Sequence, residues 1–270
     1  PSVAPPAEVE NALVDILTHG DPVAVHGYTS AQGDASVRAA VADYINANFS
    51  VGIGADNIYM TCGAAASLCI ILNALLNEGD EVITIAPYFP EYKVFTEHAR
   101  GKLVPVQGSE GTFQPDIAAI KGAITPHTKA VLINSPNNPS GVVYTEESIK
   151  QLCKVLQECK NNGQTIYLIS DEPYRELVFG GVKVPYIMNY YADSIVCYSF
   201  SKSLSLPGER IGYIAVNPAM CNAGEVYAAI CGAGRALGYV CAPSLFQLII
   251  PRVIGKTSDI SVYERNRDVL

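Results

Sequence analysis

The chain has 270 residues, of which 49% are hydrophobic and 16% charged, and its formal net charge is -8. That length holds one large domain or two small ones, and that composition builds a packed core instead of a disordered chain. The acidic balance argues against nucleic-acid backbones and anionic membranes as partners, although one small anion can still be held in a local pocket.

No signal peptide opens the sequence and no apolar run approaches membrane-spanning length. The start, PSVAPPAEVE, is abrupt. The first helix signal covers 34–48, where Asp34 stands as N-cap before VRAAVADYINANF. A short β-branched run, 57–61, follows and ends in TCGAA, which opens a helix over 64–77. The strand EVITIA at 81–86 runs into PYFPEY and a helix over 90–99. The strand KAVLIN at 129–134 ends in SPNNPSG. Thr145 begins a capping box, TEES, with Glu147 or Ser148 near the return position of a helix over 145–161. Three more strands, 165–170, 194–200 and 211–216, precede a helix over 218–236. The final SVYERNRDVL reads as a helix without a stop signal, so both termini are expected to be cuts within a longer protein.

Strands alternating with helices predict an α/β fold: three layers, α/β/α, with a mostly parallel central sheet. Such sheets bind ligands beyond the carboxyl ends of their strands. Five strand ends carry polar, glycine or aromatic clusters: TCGAA, PYFPEY, SPNNPSG, DEPY and SFSK. Any one of them is compatible with turn chemistry; together they predict a site. The eight cysteines form no C-x-x-C pair and sit mostly in apolar stretches, as expected of small buried hydrophobes in a reducing cytoplasm. The four histidines make no i, i+4 pair, and no metal site is expected.

Lys202 lies just past a buried-looking strand, with Ser199, Ser201, Ser203 and Ser205 around it and Arg210 eight residues on, which sets it apart from an ordinary solvated lysine. Asp171 ends an apolar run, where an acid is costly unless paired; it either caps a helix or faces a protonated ring nitrogen. Tyr174 either packs or hydrogen-bonds a ring oxygen, and Asn138 either shapes a turn or displays its amide to the same oxygen. Gly63, Ala64 and Ala65 open a helix, where small side chains and free N–H groups suit an anion, with the Ser199 hydroxyl and Arg210 guanidinium as further donors. Phe89, or else Tyr88, either packs in the core or lies flat on an aromatic ring.

In the stretch SFSKSLSLPGERIG the chain resembles the lysine-attachment motif of class I/II aminotransferases, enzymes of the fold type I pyridoxal-phosphate (PLP) group. The resemblance continues, in the family's order, through YTSAQGDASVRAAVADYI, TCGAAASL, PYFPEY, NSPNNPSG and DEPYRELVF. It implies that residues 1–270 are a PLP-binding large domain whose small C-terminal domain lies outside the chain. It implies that Lys202 is the Schiff-base lysine and proton shuttle, and that Asp171 pairs with the pyridinium nitrogen. Tyr174 and Asn138 would bond the ring oxygen, Phe89 would stack on the ring, and Gly63, Ala64, Ala65, Ser199, Ser201 and Arg210 would surround the phosphate. Tyr28, in HGYTSAQG, matches the tyrosine that reaches the neighbouring subunit's phosphate, so a homodimer is implied. Many relatives carry tryptophan where Phe89 stands, and this chain has no tryptophan at all. The arginine that grips the substrate carboxylate is expected beyond Leu270; Arg252, Arg265 and Arg267 do not stand in its context.

The activity implied is ping-pong transfer of an amino group between an L-amino acid and a 2-keto acid, of aspartate or aromatic type. A PLP lyase of the same fold, a carbon–sulfur lyase or one similar to aminocyclopropane-carboxylate synthase, is the alternative. The sensor domain of a transcription regulator would need a DNA-binding domain ahead of it. A nucleotide-binding α/β domain lacks its G-x-G-x-x-G and its P-loop here.

Overall fold

In the computed structural model, which describes residues 3–269, seven strands form one sheet. They are β1 (Ile58–Thr61), β2 (Glu81–Ala86), β3 (Lys102–Gln107), β4 (Thr128–Asn134), β5 (Tyr167–Asp171), β6 (Ser194–Ser199) and β7 (Gly212–Val216). Their spatial order is β1-β7-β6-β5-β4-β2-β3. β3, β2, β4, β5 and β6 run parallel, and β7 is antiparallel to both its neighbours, β6 and β1.

The interior strands are covered on both faces, so every residue of β2, β5, β6 and β7 is buried and their sequences read as near-continuous apolar runs. Alternate residues feed two separate cores. Val131, Ile133, Leu168 and Val196 pack against the helices Ala35–Phe49, Glu146–Asn161 and Ser244–Val253. Leu132, Ile169, Ile195 and Cys197 point to the opposite face and meet Ala64–Leu75, Glu91–His98 and Ala223–Ala236. The three-layer α/β/α architecture follows from that alternation.

Two helices begin where the sequence places their caps. The Asp34 carboxylate accepts the N–H groups of Ser36 and Val37, and the Thr145 hydroxyl accepts that of Ser148. The return half of the expected capping box is not made: the Thr145 N–H donates to Gln114 Oε1, Ser148 meets Thr145 only hydroxyl to hydroxyl, and the Glu147 carboxylate accepts from Gln151, one turn on.

The elements not anticipated include the helices Ala7–His19, Pro22–His26, Ile117–Ala123, Phe200–Ser203 and Ser244–Val253, two short 3-10 turns and strand β3. β3 contains Pro105 and pairs only with β2, so the missing N–H is tolerated at an open sheet edge. The segment expected to be helical over 218–236 starts its helix at Ala223; residues 218–222 form a turn. Among the described residues no helix is long and apolar enough to cross a membrane.

Candidate active site

The sheet's parallel order brings the carboxyl ends of β2, β4, β5 and β6 to one edge. The end of β1 joins them, because Thr61 and Ser199 both pair with Gly212 at the start of β7. The chain also reverses its direction of travel across the sheet here: β2 leads outward to β3, and β4 then returns to the other side of β2. A crevice forms at such a switch point. It holds a pocket of about 340 Å³, lined by Ala64, Ala65, Phe89, Asn138, Asp171, Tyr174, Ser199, Ser201, Lys202 and Arg210 from the sequence analysis, with Leu68, Asn134, Pro173 and Pro207 in addition. That volume lies at the lower end of the range, about 300–1,000 Å³, typical of small-molecule sites.

One part of the pocket is acidic and buried. Asp171 is the last residue of β5 and 5% exposed. No helix follows it, so it caps nothing. Tyr92, from the helix Glu91–His98, donates its O–H to Asp171 Oδ2 at 2.6 Å, while Oδ1 is buried without a hydrogen-bond partner among the described residues. Burial pushes the Asp171 carboxyl up to about 7; the Tyr92 bond opposes that rise and the adjacent Glu172 carboxylate adds to it. Glu172 itself is tied down by Arg175 Nε at 2.6 Å and by the Ser170 hydroxyl at 2.8 Å.

A polar pair lines another wall. The Asn138 amide donates to the Tyr174 hydroxyl at 3.3 Å, and the Asn138 backbone N–H donates to Asn134 Oδ1 at 2.6 Å. Asn138 thus stands in a turn, with its amide bonded to the Tyr174 hydroxyl. Asn134 also donates to the Asp171 carbonyl at 2.8 Å, tying the end of β4 to the end of β5. Burial is the first cause that raises the Tyr174 phenol above its ordinary value, so the hydroxyl stays neutral near pH 7. Lys202 Nζ lies 5.7 Å from the centre of the Tyr174 ring, on the four-residue helix Phe200–Ser203 that follows β6. Ser199 caps that helix, accepting the Ser201 N–H at 3.2 Å and donating its hydroxyl to Ser201 Oγ at 2.7 Å.

The third part is built for close approach. Gly63 has φ +89°, and a Cβ on it would stand 3.1 Å from Arg210 Nη2 and 3.6 Å from Ser199 Oγ. A Cβ on Gly212 would stand 2.3 Å from the Tyr198 carbonyl oxygen and 3.0 Å from Gly63 Cα. Only glycine at both positions lets β1, β7 and β6 converge under the N-terminus of Ala64–Leu75. The N–H groups of that helix's first turn, the Ser199 hydroxyl and the Arg210 guanidinium thus share one small region suited to an anion.

Of the residues expected at the site, Gly63 does not line the pocket itself but lies against Arg210 and Ser199, which do, while Tyr28 lies apart, 87% exposed and outside the pocket. Two functional candidates escaped the sequence reading, Tyr92 and Asn134. Both carried a signal, since Tyr92 closes the PYFPEY cluster and Asn134, like Asp171, is a polar residue ending a buried run.

A family model for aminotransferase class I and II matches residues 2–231. The crystal structure of an aminotransferase from Eubacterium rectale superposes with a TM-score of 0.97 at 54% identity, covering 99% of this chain and 68% of that one. A probable aspartate aminotransferase of Methanocaldococcus jannaschii is 32% identical over 70% of this chain and 49% of its own length. The aspartate aminotransferase of Bacillus subtilis is 33% identical over 80% of this chain and 54% of its own. The chain thus spans about half the length of these curated relatives.

Proposed function

Because the chain belongs to the class I and II aminotransferase family, we propose that it is the PLP-binding large domain of an aminotransferase that moves an amino group between an L-amino acid and a 2-keto acid. The aspartate type is the best choice of substrate, supported by relatives named aspartate aminotransferase. One observation carries the reading: a buried carboxylate with an unpartnered Oδ1 and a recess lined by Ala64, Ala65, Ser199 and Arg210 belong to the same pocket as a lysine.

The residues fit the cofactor's functional groups. The ring nitrogen has an acceptor in Asp171, the ring oxygen has Tyr174 and Asn138, and the ring face has Phe89. The phosphate has Gly63, Ala64, Ala65, Ser199, Ser201 and Arg210. Lys202 is the amine for covalent attachment. Bound PLP supplies an aldehyde that condenses with amines and a ring that accepts an electron pair.

The chain's own residues do the remaining work. With PLP bound, the Lys202 amine would be the base that takes the proton from the substrate α-carbon and the acid that later delivers one. The Asp171 carboxylate, through its unpartnered Oδ1, would hold a proton on the ring nitrogen of a bound cofactor. The Tyr174 hydroxyl, kept neutral and oriented by Asn138, stabilises negative charge on oxygen. Arg210 and the first turn of Ala64–Leu75 fix one end of the ligand, so proton transfer at Lys202 occurs at a set distance. Phe89 covers a ring face and excludes water.

Tyr28, exposed in the single chain, is assigned to the phosphate site of a neighbouring subunit, which makes the working unit a homodimer. The eight free cysteines support a reducing, cytoplasmic setting. The test is incubation of the purified protein with PLP, L-aspartate and 2-oxoglutarate. Glutamate formed in step with oxaloacetate, by protein that sediments as a dimer, is the expected result. Release of ammonia without consumption of the keto acid would favour a lyase and overturn the proposal.

A further inference from the structure

We propose that Tyr92 is a positioning residue for Asp171: its hydroxyl occupies Oδ2 and favours the charged carboxylate, leaving Oδ1 as the acceptor for an incoming ring N–H. The assignment rests on the reading of the pocket as a cofactor site, and its first test uses the protein without cofactor.

The geometry is specific. The 2.6 Å separation lies in the range of a charge-assisted O–H···O⁻ bond, roughly 2.5–2.7 Å. Tyr92 is 1% exposed and held in the apolar core beside Leu132, Ile169 and Cys197, so its hydroxyl has little freedom to turn elsewhere. Its ring meets Phe89 edge-on, with centroids 5.7 Å apart, and stacks on Tyr88 at 6.5 Å. One short segment, PYFPEY, therefore sets both the ring-facing aromatic and the orientation of the acid 79 residues away.

Every element around Asp171 contributes a group, and among the described residues only Tyr92 donates to the carboxylate. Asn134, from β4, spends its amide on the Asp171 carbonyl. Cys197 stands opposite on β6, and its thiol is pushed well above its ordinary value by burial and then by Asp171. Glu172 is adjacent and like-charged, Tyr174 follows in the next turn, and Lys202 and Arg210 line the same pocket. Desolvation and Glu172 both favour the protonated acid, and the Tyr92 hydroxyl opposes them. Without it, Asp171 would hold its proton through neutral pH and leave less positive charge on the ring nitrogen.

The experiment is an infrared pH titration of the cofactor-free protein. The protonated-carboxyl band of Asp171 is identified by its loss in Asp171→Asn. The midpoint expected is near 7. Tyr92→Phe should raise it by about one to two pH units, the size of a hydrogen bond to a charged group. Isosteric 3-fluorotyrosine at position 92, a stronger donor, should lower it, and this variant decides the matter if Tyr92→Phe does not fold. Midpoints unchanged in the folded variants would overturn the assignment. If the titration shifts as expected but no variant binds PLP, the cofactor reading fails while the Tyr92–Asp171 coupling stands.

Discussion

A carboxylate placed at the end of a fully buried strand sets the chemistry of the pocket. Because burial raises the Asp171 pKa from its ordinary 3.8 to about 7, the folded chain binds more protons than the unfolded one between those values. Cofactor-free stability therefore falls as pH rises from about 4 to 7 and then levels off. A rise of about three pH units corresponds to about 4 kcal/mol. Asp171→Asn should make the cofactor-free protein more stable by an amount of that order at pH 8, with the advantage vanishing near pH 4. Urea unfolding at the two pH values reads this directly, and an equal effect at both would show that Asp171 is not desolvated. The functional consequence is that a group which weakens the empty fold is available for a cationic partner. Most of this site is legible in the sequence, because Asp171, Asn138, Lys202 and Gly63 all follow recognisable strand ends. Tyr92 is not legible in its role: it lies on a helix, and its hydroxyl reaches a partner 79 residues on.

At the scale of elements, the convergence of β1, β7 and β6 controls the anion-binding end. Gly212→Ala would drive a Cβ to 2.3 Å from the Tyr198 carbonyl oxygen, a ladder atom that cannot retreat without separating β6 from β7. A loss of about 1–3 kcal/mol is expected, as for overpacking of a core. Gly232→Ala, exposed inside the helix Ala223–Ala236 with nothing within 4 Å of the new methyl, should instead gain up to about 1 kcal/mol. Thermal melts of the two variants decide it, and equal behaviour would remove the close-packing argument. Six of the seven strands are readable because burial on both faces makes them near-continuous apolar runs. β3 is not, because it is an edge strand with Pro105 and only one buried residue. Ala7–His19 blurs its amphipathic stripe by exposing Val14 and Leu17, and Ser244–Val253 carries Pro251 within an apolar run.

For the molecule as a whole, one strand order explains why residues from 63 to 210 meet in one place. Parallel strands put their carboxyl ends on one edge, and the return of β4 beside β2 opens the crevice between them. The pattern of alternation implies the layers and the parallel sheet, while the spatial order of the strands depends on tertiary packing that no single segment encodes. The same architecture leaves Tyr28 outside the pocket of its own chain.

The proposed function stands or falls with attachment of the cofactor to Lys202. The direct measurement is borohydride reduction of the PLP-loaded protein, followed by peptide mass spectrometry. The native chain should retain the pyridoxyl phosphate on the peptide containing Lys202, and Lys202→Ala should retain none. A covalent adduct on another lysine, or no adduct in the native protein, would contradict it.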